Sequence, residues 1–231
     1  VNRLLAELGH AELELHPGYA LRIETLGTFR VWRGQEEITE WQRTKAKELF
    51  QFFITYSDRS FSKKEIVSTL WPDEDEKTAI RNVKVVMNAL NNLLEPGRKS
   101  RAEPFFIKRD GELYSLNRQA EIRIDINEFE QWVIAGLEAN KMEQARDDLE
   151  RSLPLYKGDI LQDRRFEDWC TRKRDHARSL YLRGAEKIAQ LLIAQNEISK
   201  AAHWCHAIIA CEETWEEAYR MLMYCYYRLN N

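Results

Sequence analysis

The chain has 231 residues, 44% apolar and 32% charged, and its 35 Lys/Arg against 38 Asp/Glu give a formal net charge of −3. This length fits one large or two modest domains with real cores, and the composition excludes a disordered chain. No apolar run approaches the ~20 residues of a membrane span and no basic-then-apolar leader opens the chain, so a cytoplasmic protein with no membrane partner is expected.

The chain begins at Val1 and not at Met, as a piece of a longer protein would. Residues 1–18 read as a linker or the tail of a preceding domain: "VNRLLAEL" is a short amphipathic stretch, and Pro17-Gly18 breaks it. "LRIETLGTFRVWRGQEEIT" follows, rich in β-branched and aromatic residues and punctuated by Gly27 and Gly34, which predicts two or three short antiparallel strands. From Thr44 the period becomes helical. Ala46, Leu49, Phe50, Phe53 and Ile54 form one stripe.

Ser62 with Glu65 three residues on is a capping-box signature for a second helix that buries Ile66, Leu70 and Trp71 and stops at Pro72. A third helix spans 79–94, with Ile80, Val83, Val86, Met87, Leu90, Leu93 and Leu94 at spacings of three and four. Pro96-Gly97 ends it. Two apolar-aromatic runs then flank Asp110-Gly111, a hairpin signal in which both turn residues take positive φ.

From about Asp125 every segment reads as helix. Small residues at crossing points, Ala145 and Ala201, suggest tetratricopeptide-like packing with one long inserted helix from about Phe166 to Gln195. Trp215, Tyr219, Met223, Tyr226 and Tyr227 in the last helix read as the cap of the array, with a partner or self-association surface as the alternative.

The order and spacing of several stretches carry a family resemblance: "RTKAKELF" (43–50), "SKKEIVSTLWPD" (62–73), "AIRNVKVVMNALNNLLEP" (79–96), "IKRDGELYSL" (107–116), "DINEFEQ" (125–131), "LYKGDILQD" (155–163), "FEDW" (166–169) and "EEAYRMLMYCYYRLNN" (216–231). The chain resembles the SARP family of bacterial transcriptional activators. This implies an α+β winged helix of the OmpR type over residues 19–122, followed by an all-α, tetratricopeptide-like bacterial transcriptional activator domain over 123–231. It also implies duplex-DNA binding through the helix at 79–94 and the hairpin near 108–111. The connection Pro72–Lys77 is then a candidate RNA polymerase contact, carried by Asp73, Glu74, Asp75 and Glu76. The opening stretch is similar to the last helix of a response-regulator receiver, as expected of the effector part of a two-component system.

The residues themselves support part of this reading. The polar face of the 79–94 helix offers Arg81, Lys84, Val85, Asn88, Asn91 and Asn92. Arg pairs bidentately with guanine and Asn with adenine, while surface asparagine is equally at home in water. The family's arginines in the second half of this helix are replaced here by Ala89, Asn91 and Asn92. Fewer phosphate contacts imply modest affinity for one copy, so a homodimer or tandem binding is expected.

Arg43, Lys63, Lys64, Lys108 and Arg109 are further candidates for phosphate contact; each alone reads first as a solvated surface charge, and phosphate contact follows only where they converge on one face. Lys45, Lys47, Arg98, Lys99 and Arg101 lie nearby. The four cysteines form no C-x-x-C pair, and "HWCHAIIAC" lacks a second ligand pair, so no metal and no cofactor are expected. None of the nine glycines builds a phosphate-cradling loop and no catalytic set stands out, so the reading is not an enzyme. The alternative to a DNA-binding regulator is a protein-interaction module whose winged helix is a degenerate scaffold.

Overall fold

The computed structural model describes residues 16–99 and 101–229. The stretch at 1–8 that resembles a receiver helix lies outside them. The chain divides into two compact units: residues 1–23 with 30–123, and residues 24–29 with 124–231.

In the first unit, strands β1 (Leu21–Glu24), β2 (Arg30–Arg33), β3 (Glu36–Glu37) and β7 (Ile122–Ile124) form a sheet in the order β3-β2-β1-β7. Helices α1 (Thr44–Thr55), α2 (Lys63–Leu70) and α3 (Glu76–Leu94) follow β3. A second sheet orders β4 (Phe61–Ser62), β6 (Leu113–Leu116) and β5 (Ile107–Asp110). The expected strands, three helices and hairpin are all present. β4 and β7 are additional, too short for any alternation in sequence to reveal.

α1 is buried on more than its predicted stripe: Phe52, Gln51, Glu48 and Thr55 join Leu49, Phe50 and Phe53 inside. The aromatic cluster of Phe52, Phe53, Tyr56 and Phe61 explains why, since its ring centroids lie 4.7–6.4 Å apart in tilted and edge contacts. The capping box forms as expected: Ser62 Oγ accepts from Glu65 N, and Glu65 Oε2 accepts from Ser62 N at 2.8 Å. Ser62→Ala is expected to cost about 1 kcal/mol in a urea titration. An unchanged midpoint would mean that packing alone fixes α2.

One detail of the hairpin is corrected. The last pair in its register is Asp110↔Leu113, so the turn is Gly111-Glu112 and not Asp110-Gly111. Only Gly111 takes positive φ (57°), and Asp110 stays in the strand.

The second unit contains α4 (Asp125–Glu138), α5 (Met142–Ser152), α6 (Asp168–Ala194), α7 (Ile198–Cys211) and α8 (Glu216–Arg228). Consecutive helices pack as tetratricopeptide-like pairs, with the 27-residue α6 as the long member. Ala145 and Ala201 are buried as expected. Gly136 and Gly184 mark still closer crossings: a Cβ at Gly136 would stand 2.7 Å from Leu149 Cγ, and one at Gly184 would stand 2.8 Å from Val133 Cγ2.

The residues read as a cap divide: Trp215 closes onto α6, its Nε1 donating to Glu186 Oε2 at 2.7 Å, whereas Tyr219, Met223, Tyr226 and Tyr227 are exposed. Ala218, Met221, Leu222 and Cys225 form its buried stripe, so the residues between them face away. Met223 is 65% exposed and Tyr227 79%.

The segment 24–29 is far in sequence from the rest of this unit, yet it is stitched in. Leu26 bridges Ile160, Gly27 N donates to Asp159 O at 3.1 Å, and Leu161 N donates to Thr25 O at 2.9 Å. The Asp125 carboxylate accepts from Thr25 N (2.8 Å), Thr25 Oγ1 (2.6 Å), Leu26 N (3.0 Å) and Ile126 N (2.8 Å).

Candidate nucleic-acid interface

The site is built on α3. Asp75 caps it, its carboxylate accepting from Thr78 N at 3.0 Å, and the helix buries Ala79, Val83, Val86, Met87, Leu90 and Leu94 against α1 and α2. That stripe turns Arg81, Lys84, Val85, Asn88 and Asn92 outward together, at offsets of 0, 3, 4, 7 and 11 along one face. Among the described residues Arg81 and Lys84 make no ion pair, although, after the hydrogen bonds from Thr78, the Arg81 charge helps to lower the Asp75 pKa. Val85, 44% exposed, is the only large apolar side chain on this face among the described residues.

Asn91 departs from its expected place. It is 6% exposed, on the core side four residues after Met87, and its Oδ1 finds no hydrogen-bond partner among the described residues. It is not available to a groove. Asn92 is exposed and accepts from Arg98 Nη2 at 3.0 Å.

The carboxyl end of α3 is held by side chains that satisfy its free carbonyls. Tyr19 Oη donates to Leu94 O at 2.7 Å, and Arg33 Nη1 donates to Leu93 O at 2.9 Å. Glu95, 4% exposed, accepts from Phe105 N (2.9 Å) and Phe106 N (3.0 Å), which fastens the helix end to the segment leading into β5. Burial raises the Glu95 pKa, while these two donors and Arg98 pull it back.

The other candidate residues separate into groups. Lys63 and Arg109 converge on Glu112 at the hairpin tip, at 3.3 and 3.0 Å. Lys108 Nζ donates to Gln119 at 3.4 Å and lines a groove of about 570 Å³ beside the hairpin. Lys64 is exposed, 3.9 Å from Glu76. Arg43 precedes α1 and lines a second groove, of about 430 Å³, with Trp71, Asn82 and Val85. Lys45 is engaged internally, donating to Leu70 O at 2.6 Å and pairing with the buried Glu48.

The four acidic residues leading into α3, Asp73 to Glu76, are all exposed, but two of them have local tasks. Asp75 is the N-cap, and Glu74 Oε2 accepts from Asn82 Nδ2 at 2.7 Å. Hydrogen bonds from Thr78 hold the Asp75 carboxyl below its usual range.

Comparison with known proteins agrees with this architecture. Residues 124–231 match the model of the bacterial transcriptional activator domain. Regulatory protein AfsR of Streptomyces coelicolor is 26% identical over 145 residues, 62% of this chain and 14% of that protein. The solved structure of Mycobacterium tuberculosis EmbR in complex with a low-affinity phosphopeptide has the same fold. Its TM-score is 0.76 at 17% identity, covering 92% of this chain and 56% of the other. The chain thus spans a small part of the curated relative it matches. Among the described residues no helix is long and apolar enough to cross a membrane.

Proposed function

We propose that this chain is a SARP-family bacterial transcriptional activator, a winged helix followed by a bacterial transcriptional activator domain, and that it binds specific duplex DNA through residues 19–122; the domain match and the relatives support this reading. The matched domain is named for transcriptional activation and the matched relative is a regulatory protein, which supports a regulatory role. The observation that carries the reading is the single outward face of α3, where two exposed cations, two exposed asparagines and one valine stand together. Arg81 and Lys84 reach guanine edges or phosphate, Asn88 and Asn92 pair with adenine, and Val85 suits a thymine methyl. Arg43, Lys63, Lys64, Lys108 and Arg109 hold the phosphates on either side.

Residues 123–231 serve oligomerisation and regulation. With so few cations on α3, tight binding needs a dimer or tandem copies, and the exposed aromatic face of α8 is available for that association. Asp73 and Glu76, free of capping duties, are the better half of the acidic stretch for an RNA polymerase contact. The site of action is the cytoplasm.

Selection from a random duplex library at moderate salt is expected to enrich one motif, as a repeat about one helical turn apart. Arg81→Ala is expected to weaken binding to that motif about tenfold or more and to relax one base position. Lys84→Ala is expected to weaken all sequences alike. No enrichment and no salt-sensitive shift would discard the reading. The burial of Asn91 and the short supply of arginines favour the alternative, a scaffold for protein partners, in that event.

A further inference from the structure

Register alone brings three charged groups of the first unit to one point. β4 pairs with β6 through Phe61↔Tyr114 and Ser62↔Leu113, so Lys63, the first residue of α2, arrives at the hairpin tip. β5 pairs with β6 through Arg109↔Tyr114, which lays Arg109 across the same residue. The Lys63 ammonium lies 5.9 Å and the Arg109 guanidinium 5.8 Å from the centre of the Tyr114 ring. Glu112, in the two-residue turn, then meets both: its Oε2 is 3.3 Å from Lys63 Nζ and its Oε1 is 3.0 Å from Arg109 Nη2. Arg109 Nε also donates to Gly111 O at 2.7 Å, which fixes the guanidinium plane at the turn.

Two cations from separate elements, an aromatic floor and a carboxylate bridging them describe an anion site with an anion already in it. A carboxylate and a phosphate present oxygens of like geometry to such a pair. We propose that Lys63 and Arg109 form a phosphate-binding site at the hairpin, and that Glu112 fills it as an internal anion that keeps a nucleic-acid phosphate out. The inference rests on the DNA-binding reading and adds what sets its strength. The two cations hold the Glu112 carboxyl below its usual range, Lys63 first, as an occupied site requires. Arg109 and Glu112 are exposed and only Lys63 is largely covered, so the pairs add little to folding, and Glu112 can be altered without loss of the fold.

The test uses the full 231-residue chain and a mixed-sequence duplex, with affinity measured across a salt series. For Glu112→Gln, the slope of log K against log salt is expected to steepen by about 0.9, the increment of one more phosphate contact. Affinity is expected to rise about fivefold at 0.15 M salt and to converge with the parent toward 1 M. Adding Lys63→Ala and Arg109→Ala to that variant is expected to abolish the gain. Glu138→Gln, the same charge change on α4, is expected to leave the slope alone.

If the parent chain binds and Glu112→Gln shares its affinity and slope, Glu112 does not occupy a phosphate site, and the DNA-binding reading stands without it. An equal gain from Glu138→Gln would reduce the effect to net charge and overturn the inference. If neither chain binds at any salt while both melt cooperatively, the DNA-binding reading falls and takes this inference with it.

Discussion

Asp125→Ala is expected to lower the stability of the helical unit by about 3 kcal/mol. The carboxylate accepts four hydrogen bonds, from Thr25 N, Thr25 Oγ1, Leu26 N and Ile126 N. Thr25 is fully buried and Leu26 is 1% exposed, so their backbone N–H groups find no water when the acceptor is removed. An unsatisfied buried donor costs about 1–3 kcal/mol, and more than one is orphaned here. Asp125→Asn keeps one oxygen but turns an NH2 toward N–H donors, so it should fall between the two.

Acid adds a signature. Burial raises the Asp125 pKa, with the four donors opposing, so the folded chain holds this proton more tightly than the unfolded one. The resulting increment of stability is fully present below the unfolded pKa and is lost as pH rises through the folded value. The parent chain is therefore expected to lose stability relative to Asp125→Asn across that acid window. Urea titrations at several pH values decide it, and a difference that is flat with pH, or an alanine variant as stable as the parent, would remove Asp125 from its place as anchor.

Leu149→Ala is expected to cost a further 3 kcal/mol or so in the same unit, because Leu149 is fully buried where three helices meet. The two glycines beside it make the sharper test. A methyl at Gly136 would stand 2.7 Å from Leu149 Cγ and 3.2 Å from Ala145 O. Gly136→Ala alone is therefore expected to destabilise by about 1–3 kcal/mol through overpacking, although alanine is the better helix former. Combined with Leu149→Ala, the new methyl enters the space the leucine left. The double variant should be more stable than the sum of the singles by about 1 kcal/mol, whereas strict additivity would show that the glycine is not there for the crossing.

What could be read from the sequence follows the range of the interactions. The stripes of α1 and α3 and the Ser62–Glu65 box are local patterns, and the structure reproduces them except at Ile80 and Leu93, which are only part-buried at the edge of the α3 stripe. Asn91 misleads because asparagine is usually a surface residue. Its spacing of four from Met87 already pointed inward, and residue type outweighed position. The hairpin was legible to within one residue: Asp-Gly marks the turn, but only the pairing of Asp110 with Leu113 shows which two residues lie outside the ladder. The Leu26–Ile160 bridge left no trace, because its partners are 134 positions apart and no local pattern links them. The meeting of Lys63 with Arg109 was equally hidden, since it depends on the two-residue strand β4. In the last helix the tyrosines suggested burial by type, while the stripe Ala218, Met221, Leu222 and Cys225 shows by position which side is inside.

Glu95 joins the end of α3 to the backbone of Phe105 and Phe106, ahead of the hairpin. Helix and hairpin are therefore a single lever before any partner arrives. The conformational freedom of that joint is surrendered during folding, so association has little left to order there. The spacing between what the helix touches and what the hairpin touches is then a built-in ruler. On the DNA-binding reading proposed above, a duplex whose grooves do not match that ruler has to bend or twist to meet it, and its sequence-dependent stiffness becomes part of what is recognised.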